Sequence, residues 1–307
     1  MSSVTTFPRH EARPDRPGPG PIPGSLLRAL DVSIGRRVEG LLAGDYRSAV
    51  LGQGTELAQV RPYIPGDDVR QIEWNVTART GETHVRIQLA ERVLVTWLVL
   101  DASASMAFGT GERRKADVAE GVAVAVGWAA TRRGNRLGTI AFGSDSKVER
   151  PRQGRRALLD TLELLRALPP EGTGSLRDAL ELADRVARQR ALLIVVSDFR
   201  GPPDWRPPLL RLAGRHTVLA VEVRDPREQV LADVGELRLV DPETGRQLRV
   251  DTSDRRLRER FARAADDERR GLVAMLASAG VRHVSLSTDG DWLRPLAAFL
   301  RRGRLGR

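Results

Sequence analysis

From Val93 onward the chain alternates between short apolar runs and longer helix-like segments, and few architectures accommodate that pattern. The runs are 93–100, "RLGTIAF" at 136–142, "ALLIVVS" at 191–197, "TVLAVEV" at 217–223 and "VRHVSLS" at 281–287. Helical patterning falls at about 114–133, 155–167, 175–189, 205–213, 254–279 and 291–302. Near-continuous apolar runs mark strands buried on both faces, and strands alternating with helices mark crossover units. The expected fold is therefore α/β, with a doubly wound, mostly parallel sheet. The middle of 114–133 is almost all Ala and Val, which predicts a helix buried against the sheet. "LRLVDPETGRQLRVD" breaks the alternation and reads as a β-hairpin inserted near the sheet edge. There is no internal repeat.

The chain ahead of Val93 has a different texture. Residues 46–93 show short segments punctuated by turn residues, which predicts a small N-terminal β-rich unit. "PGDDVR" within it reads as a turn, with Pro65 setting the bend and Asp67 or Asp68 closing an Asx-turn. A serine cap and spaced leucines predict an amphipathic helix over 25–43. Residues 1–24, rich in Pro, Arg and Gly, read as a disordered tail. The expected division is 1–24 tail, 25–92 helix and β-rich unit, and 93–307 α/β domain.

Composition removes several chemistries. The 307 residues contain no cysteine, which excludes disulfides, thiolate nucleophiles and cysteine-ligated metals. The four histidines are scattered, with no pair at helical spacing to hold a transition metal. The net charge of +10 comes from arginines interspersed with acids, because Lys115 and Lys147 are the only lysines. With aromatics at 4%, stacking platforms for bases are few, so no nucleic-acid partner is expected. Neither an 18-residue apolar run nor a signal-like leader is visible, so no integral membrane segment is expected and the location expected is cytoplasmic.

The first apolar run ends in "DASAS", so a buried strand delivers Asp101, Ser103 and Ser105 at alternate positions. In an open α/β sheet, ligands gather outside the carboxyl ends of the strands, where crossovers diverge. An extended chain would point all three side chains the same way. Two further strand ends add Thr173, in "EGTGSLRDAL", and Asp198, in "LLIVVSDFRG". Carboxylate and hydroxyl oxygens suit a hard cation such as Mg²⁺, with Mn²⁺ or Ca²⁺ as alternatives. The bland alternative is that these side chains only cap turns. "FGTGERRK" lacks the Gly-Lys-Ser/Thr ending of a phosphate loop and reads as a flexible rim of the site.

"DASAS", Thr173 and Asp198 resemble the metal-ion-dependent adhesion site of von Willebrand factor A domains. "RPYIPGDDVRQIEWNVTAR" and "AERVLV" resemble the bacterial domain-of-unknown-function family fifty-eight, over about Gly52 to Arg302. The resemblance implies a Rossmann-like sheet binding Mg²⁺ through Asp101, Ser103, Ser105 and Thr173, with Asp198 acting through water. "GTGSLRDAL" is one residue longer than the usual pattern, which makes Ser175 the alternative to Thr173. The resemblance also implies a non-enzymatic, metal-dependent protein–protein interaction module. It would work with a MoxR-type AAA+ ATPase in protein maturation or complex assembly, on a client supplying an acidic residue. Two rival functions stand beside it: a Mg²⁺-dependent phosphatase using Asp101, and an arginine-rich nucleic-acid binder. The phosphatase is disfavoured because Ser103 occupies the position of its general acid.

Overall fold

The structure, a computed structural model, describes residues 18–28, 30, 56–89, 94–132, 134–169, 174–241 and 245–301. The chain divides into two compact units, the smaller at 38–93.

In the smaller unit, strands β1 (Glu56–Pro62) and β2 (His84–Leu89) pair antiparallel, with a bulge between Leu57 and Gln59. The short helix α1 (Trp74–Thr80) lies between them in sequence and ends at Gly81, whose φ of 75° is the left-handed conformation of a helix C-cap. The "PGDDVR" turn forms as its residues dictate. Asp67 accepts from the Ile64 N–H at 2.9 Å and takes both guanidinium nitrogens of Arg61 at 2.7 Å. Asp68 caps the 3-10 turn that follows by accepting from Arg70 N–H. Glu73 pairs with Arg86, and Val85 is buried.

The larger unit is built on a six-stranded sheet. Its strands are β3 (Val95–Asp101), β4 (Arg136–Phe142), β5 (Ser146–Gln153), β6 (Leu192–Ser197), β7 (Thr217–Arg224) and β10 (Arg282–Ser287). Their spatial order is β10-β7-β6-β3-β4-β5, parallel throughout except at the β5 edge. Renumbered within the sheet, this is the 3-2-1-4-5-6 order of doubly wound folds, which reverses direction between β3 and β6. The predicted fold class holds. Every residue of β6 is buried, as is all of β3 after Val95, as their unbroken apolar runs require.

The helices are α2 (Lys115–Ala130), α3 (Gly154–Ala167), α4 (Leu176–Val186), α5 (Arg206–Arg215), α6 (Arg255–Ser278) and α7 (Leu293–Arg301). On one face, Trp97, Val99, Leu193 and Val195 pack with Leu180 of α4, Leu209 of α5 and Leu276 of α6. On the other lies α2, whose Gly127 meets Leu158 of α3 and Leu137 of β4, while its Gly121 meets the Trp292 ring just before α7. The Ala/Val-rich centre of α2 is buried as predicted, because small side chains let its backbone approach the sheet closely.

Three features differ from the sequence expectation or extend it. Strand β5, "SKVERPRQ", escapes pattern reading because it is polar and contains Pro151; it is an edge strand, where a missing N–H is tolerated. The predicted hairpin forms as β8 (Glu236–Val240) and β9 (Gln247–Asp251), but as a separate two-stranded sheet. Residues 24–28 are helical at the start of the predicted 25–43 helix, whose residues 31–43 lie outside the described set. Just before them, the Pro19 carbonyl accepts a hydrogen bond from Trp292 Nε1 at 2.9 Å. Among the described residues no helix is long and apolar enough to cross a membrane.

Candidate functional site

Asp101 ends β3 and Asp198 directly follows β6, so the two carboxylates flank the point where the sheet reverses its winding. The chain does not stay extended through "DASAS". It turns after Asp101 and enters a 3-10 turn at Ala104–Ala107, with Ser103 at the N-cap. Convergence comes from that turn instead. The Asp101 carboxylate accepts from the Ser103 N–H at 2.9 Å, an Asx-type bond that folds the chain back. The Ser103 and Ser105 hydroxyls come within 3.2 Å of each other. Both the turn reading and the convergence of oxygens are therefore realised in the same five residues.

Asp101 is 4% exposed, and its second oxygen accepts from the Ser197 hydroxyl at 2.6 Å. Ser197, the last residue of β6, was not singled out from sequence, because one serine ending an apolar run carries no signal of its partner across the sheet. Burial pushes the Asp101 carboxyl up to about 7, with the negative charge of Asp198 adding to the effect and the Ser103 and Ser197 hydrogen bonds opposing it. Burial also acts to raise Asp198. There, however, the charge of Lys115, with hydrogen bonds from Lys115, Ser105 and Arg200 N–H, holds the carboxyl below its ordinary range.

Lys115 is the largest departure from expectation. Its side chain is 0% exposed, and its ammonium donates to Asp198 Oδ2 and to Glu228 Oε1, each at 2.7 Å. An unpaired ammonium could not be buried at this depth, so the two carboxylates are the condition of its placement. The "FGTGERRK" segment is accordingly not a flexible rim. Lys115 anchors one end, and Asp225 anchors the middle by accepting from Thr110 N–H at 2.7 Å and from the Thr110 hydroxyl at 2.6 Å. The turn after Asp198 is tight as well, with Phe199 in the left-handed region at φ 54° and its N–H bound to the Ser197 hydroxyl at 3.0 Å. Its ring meets Trp205 edge-on at 5.5 Å, which holds this strained conformation in place.

Thr173 lies outside the described residues. Its neighbour Gly174 packs so closely on Gly143 that a Cβ would run into the Gly143 carbonyl oxygen. Gly143 in turn abuts Ala102 of "DASAS", which brings the third loop beside the first. Ser175 is the N-cap residue of α4, and its side chain makes no capping hydrogen bond.

One carboxylate and two hydroxyls are what a hard cation takes as ligands. Their 3.2 Å oxygen spacing lies near the roughly 2.9 Å edge of an octahedron with oxygens at about 2.05 Å. The donor set of Asp101, Ser103 and Ser105 thus fits such an ion. The groups that hydrogen-bond the Asp101 carboxylate, the Ser103 N–H and hydroxyl and the Ser197 hydroxyl, are all neutral.

Comparison with known proteins places the chain among bacterial relatives. Uncharacterized protein Rv1480 of Mycobacterium tuberculosis is 39% identical over 288 residues, covering 92% of this chain and 90% of its own length. A protein of Mycobacterium bovis, Mb1516, matches to the same extent. Among solved structures, BatB from Bacteroides thetaiotaomicron is similar at a TM-score of 0.43 and 14% identity, over 68% of this chain and 98% of that one. The family match spans residues 59–271, which takes in most of the smaller unit's strand pair and most of the sheet. With that span and relatives of this identity over nearly the whole length, the chain belongs to the family described as protein of unknown function DUF58.

Proposed function

We propose that this chain is a non-enzymatic interaction module that captures an acidic side chain of a partner protein through a divalent cation, Mg²⁺ foremost. Asp101, Ser103 and Ser105 would hold the ion, Thr173 or Ser175 would complete the protein's share, and Asp198 would stand behind them. The observation that carries the reading is Asp101: a buried carboxylate at the topological switch point, beside two converging hydroxyls, with only neutral hydrogen-bond partners. A buried anion so placed is relieved by a cation. The bound ion would supply an electrophilic centre for one further oxygen ligand.

The identity of the partner rests on the family resemblance, which implies a MoxR-type AAA+ ATPase and an acidic client in protein maturation or assembly. Both parts can be tested together. Purified protein should bind Mg²⁺ by titration calorimetry, and a co-expressed MoxR-type ATPase should be retained on it in Mg²⁺ and released by EDTA. Ser103→Ala and Ser105→Ala should each weaken Mg²⁺ binding by about tenfold while leaving the fold intact, since each deletes one uncharged ligand. Retention that is equal in Mg²⁺ and EDTA would refute the metal bridge. Hydrolysis of a generic aryl phosphate that disappears in Asp101→Asn would favour the phosphatase instead.

A further inference from the structure

Lys115, Asp198 and Glu228 form a buried charge cluster, with side chains 0%, 4% and 12% exposed, and the metal reading uses Asp198 but gives Lys115 and Glu228 no role. Lys115 opens α2, Asp198 follows β6, and Glu228 sits in the 3-10 turn Pro226–Glu228 after β7. One ammonium therefore joins three elements around the candidate site, with one contact of 2.7 Å to Asp198 Oδ2 and another of 2.7 Å to Glu228 Oε1. The chain keeps only two lysines among 50 basic residues, and one of them is here. A compact point charge on a long stem fits between two carboxylates where a planar guanidinium fork would need more room.

We infer that Lys115 is a positioning residue of the site: by neutralising Asp198 and holding its Oδ2, it keeps that carboxylate from coordinating the cation directly. The inference rests on the metal reading above and gives it a chemical consequence. An ion facing both Asp101 and Asp198 would have its two positive charges cancelled by the protein, leaving little attraction for a third carboxylate. Lys115 shares its charge between Asp198 and Glu228, and Glu228 has a second cation in Arg200 at 3.8 Å, so the two carboxylates are balanced by two cations. Asp101 then remains as the uncompensated charge facing the ion, and a positive charge is left for an acidic ligand supplied by the partner. Lys115 thus biases the site toward capturing an anion at the expense of binding the metal tightly.

The test uses the whole 307-residue chain and Mn²⁺ alone, titrated by electron paramagnetic resonance, with water-proton relaxation counting the exchangeable waters on the bound ion. Lys115→Met keeps the length of the stem and removes the charge. It should bind Mn²⁺ about tenfold more tightly than wild type and with fewer exchangeable waters, because Asp198 is released to the ion. A purely structural role would instead weaken binding and would not remove waters. Folded Lys115→Met protein with unchanged or weaker Mn²⁺ affinity would overturn the role of Lys115 while leaving the metal reading intact. If neither wild type nor Lys115→Met binds Mn²⁺ at millimolar concentration, the metal reading itself falls and takes this inference with it. Should Lys115→Met fail to fold, Asp198→Asn decides the matter. It should weaken Mn²⁺ binding less than Asp101→Asn does, because Asp198 reaches the ion only through water and shares its charge with Lys115, and a loss as large as that of Asp101→Asn would overturn the proposal.

Discussion

Asp101→Asn should be more stable than the wild-type protein at pH 8 without metal, and it should gain nothing from added Mg²⁺. The reason is the charge that Asp101 carries into the interior. Burial and the neighbouring Asp198 raise its carboxyl to about 7 in the folded protein, whereas an unfolded aspartate titrates near 3.9. A carboxyl raised by folding contributes stability that is fully present below the unfolded pKa and is lost as pH rises through the folded one. Between about pH 4 and pH 7 the metal-free wild type should therefore lose roughly 1.4 kcal/mol per pH unit from this group, and no more above that window. Asn does not titrate. Its Oδ1 can still accept from Ser103 N–H, and its amide can donate to a Ser197 hydroxyl turned to receive it. The advantage of the variant should accordingly grow across the same window and level off at a few kcal/mol. Asp198 shifts in the opposite direction, so its contribution falls away only below its ordinary range and does not mask the effect. Denaturant melts at pH 5, 6, 7 and 8 would show it, and coincident curves for the two proteins at pH 8 would refute it.

Asp225→Ala should cost about 3–5 kcal/mol, the largest loss expected from a single side chain at the strand ends. Asp225 is fully buried and accepts from Thr110 N–H, the Thr110 hydroxyl, the Thr288 hydroxyl and Arg227 N–H, at 2.6 to 2.9 Å. Burial alone would raise this carboxyl, yet the four donors bring it below its ordinary range. Alanine strands all four donors in a space closed to water. Because Thr110 lies on the segment that leads to Lys115, the same change should loosen the site and weaken Mg²⁺ binding. Asp225→Asn, which keeps one acceptor oxygen, should recover part of the loss. Equilibrium denaturation measures the effect, and a cost below about 1 kcal/mol for Asp225→Ala would mean that water reaches these donors.

Much of this was legible in the sequence, for reasons tied to particular residues. The runs at 192–197 and 217–223 announce sheet-centre strands because burial on both faces leaves few polar positions, only Glu222 and the terminal Thr217 and Ser197, to blur them. Asp101, Ser103 and Ser105 drew notice because they follow such a run at short spacing; the turn was legible as a rival to the extended chain, but not as what brings the Ser103 and Ser105 hydroxyls together. Strand β5 was hidden because an edge strand faces water and needs no apolar pattern. Lys115, Ser197, Glu228 and Asp225 were hidden for a different reason. Each acquires its meaning from a partner 63 to 115 residues away, and no periodicity records such pairings. The one available clue to Lys115 was compositional, a lysine retained where arginine is nearly universal.

The central claim, that these strand-end oxygens hold a divalent cation, is tested most directly by crystals grown or soaked with Mn²⁺ and measured at the manganese absorption edge. An anomalous peak within about 2.0–2.4 Å of an Asp101 carboxylate oxygen and the Ser103 and Ser105 hydroxyls, absent from Asp101→Asn crystals, is the predicted result. A wild-type map with no peak there, at a Mn²⁺ concentration that occupies other surface carboxylates, would contradict it.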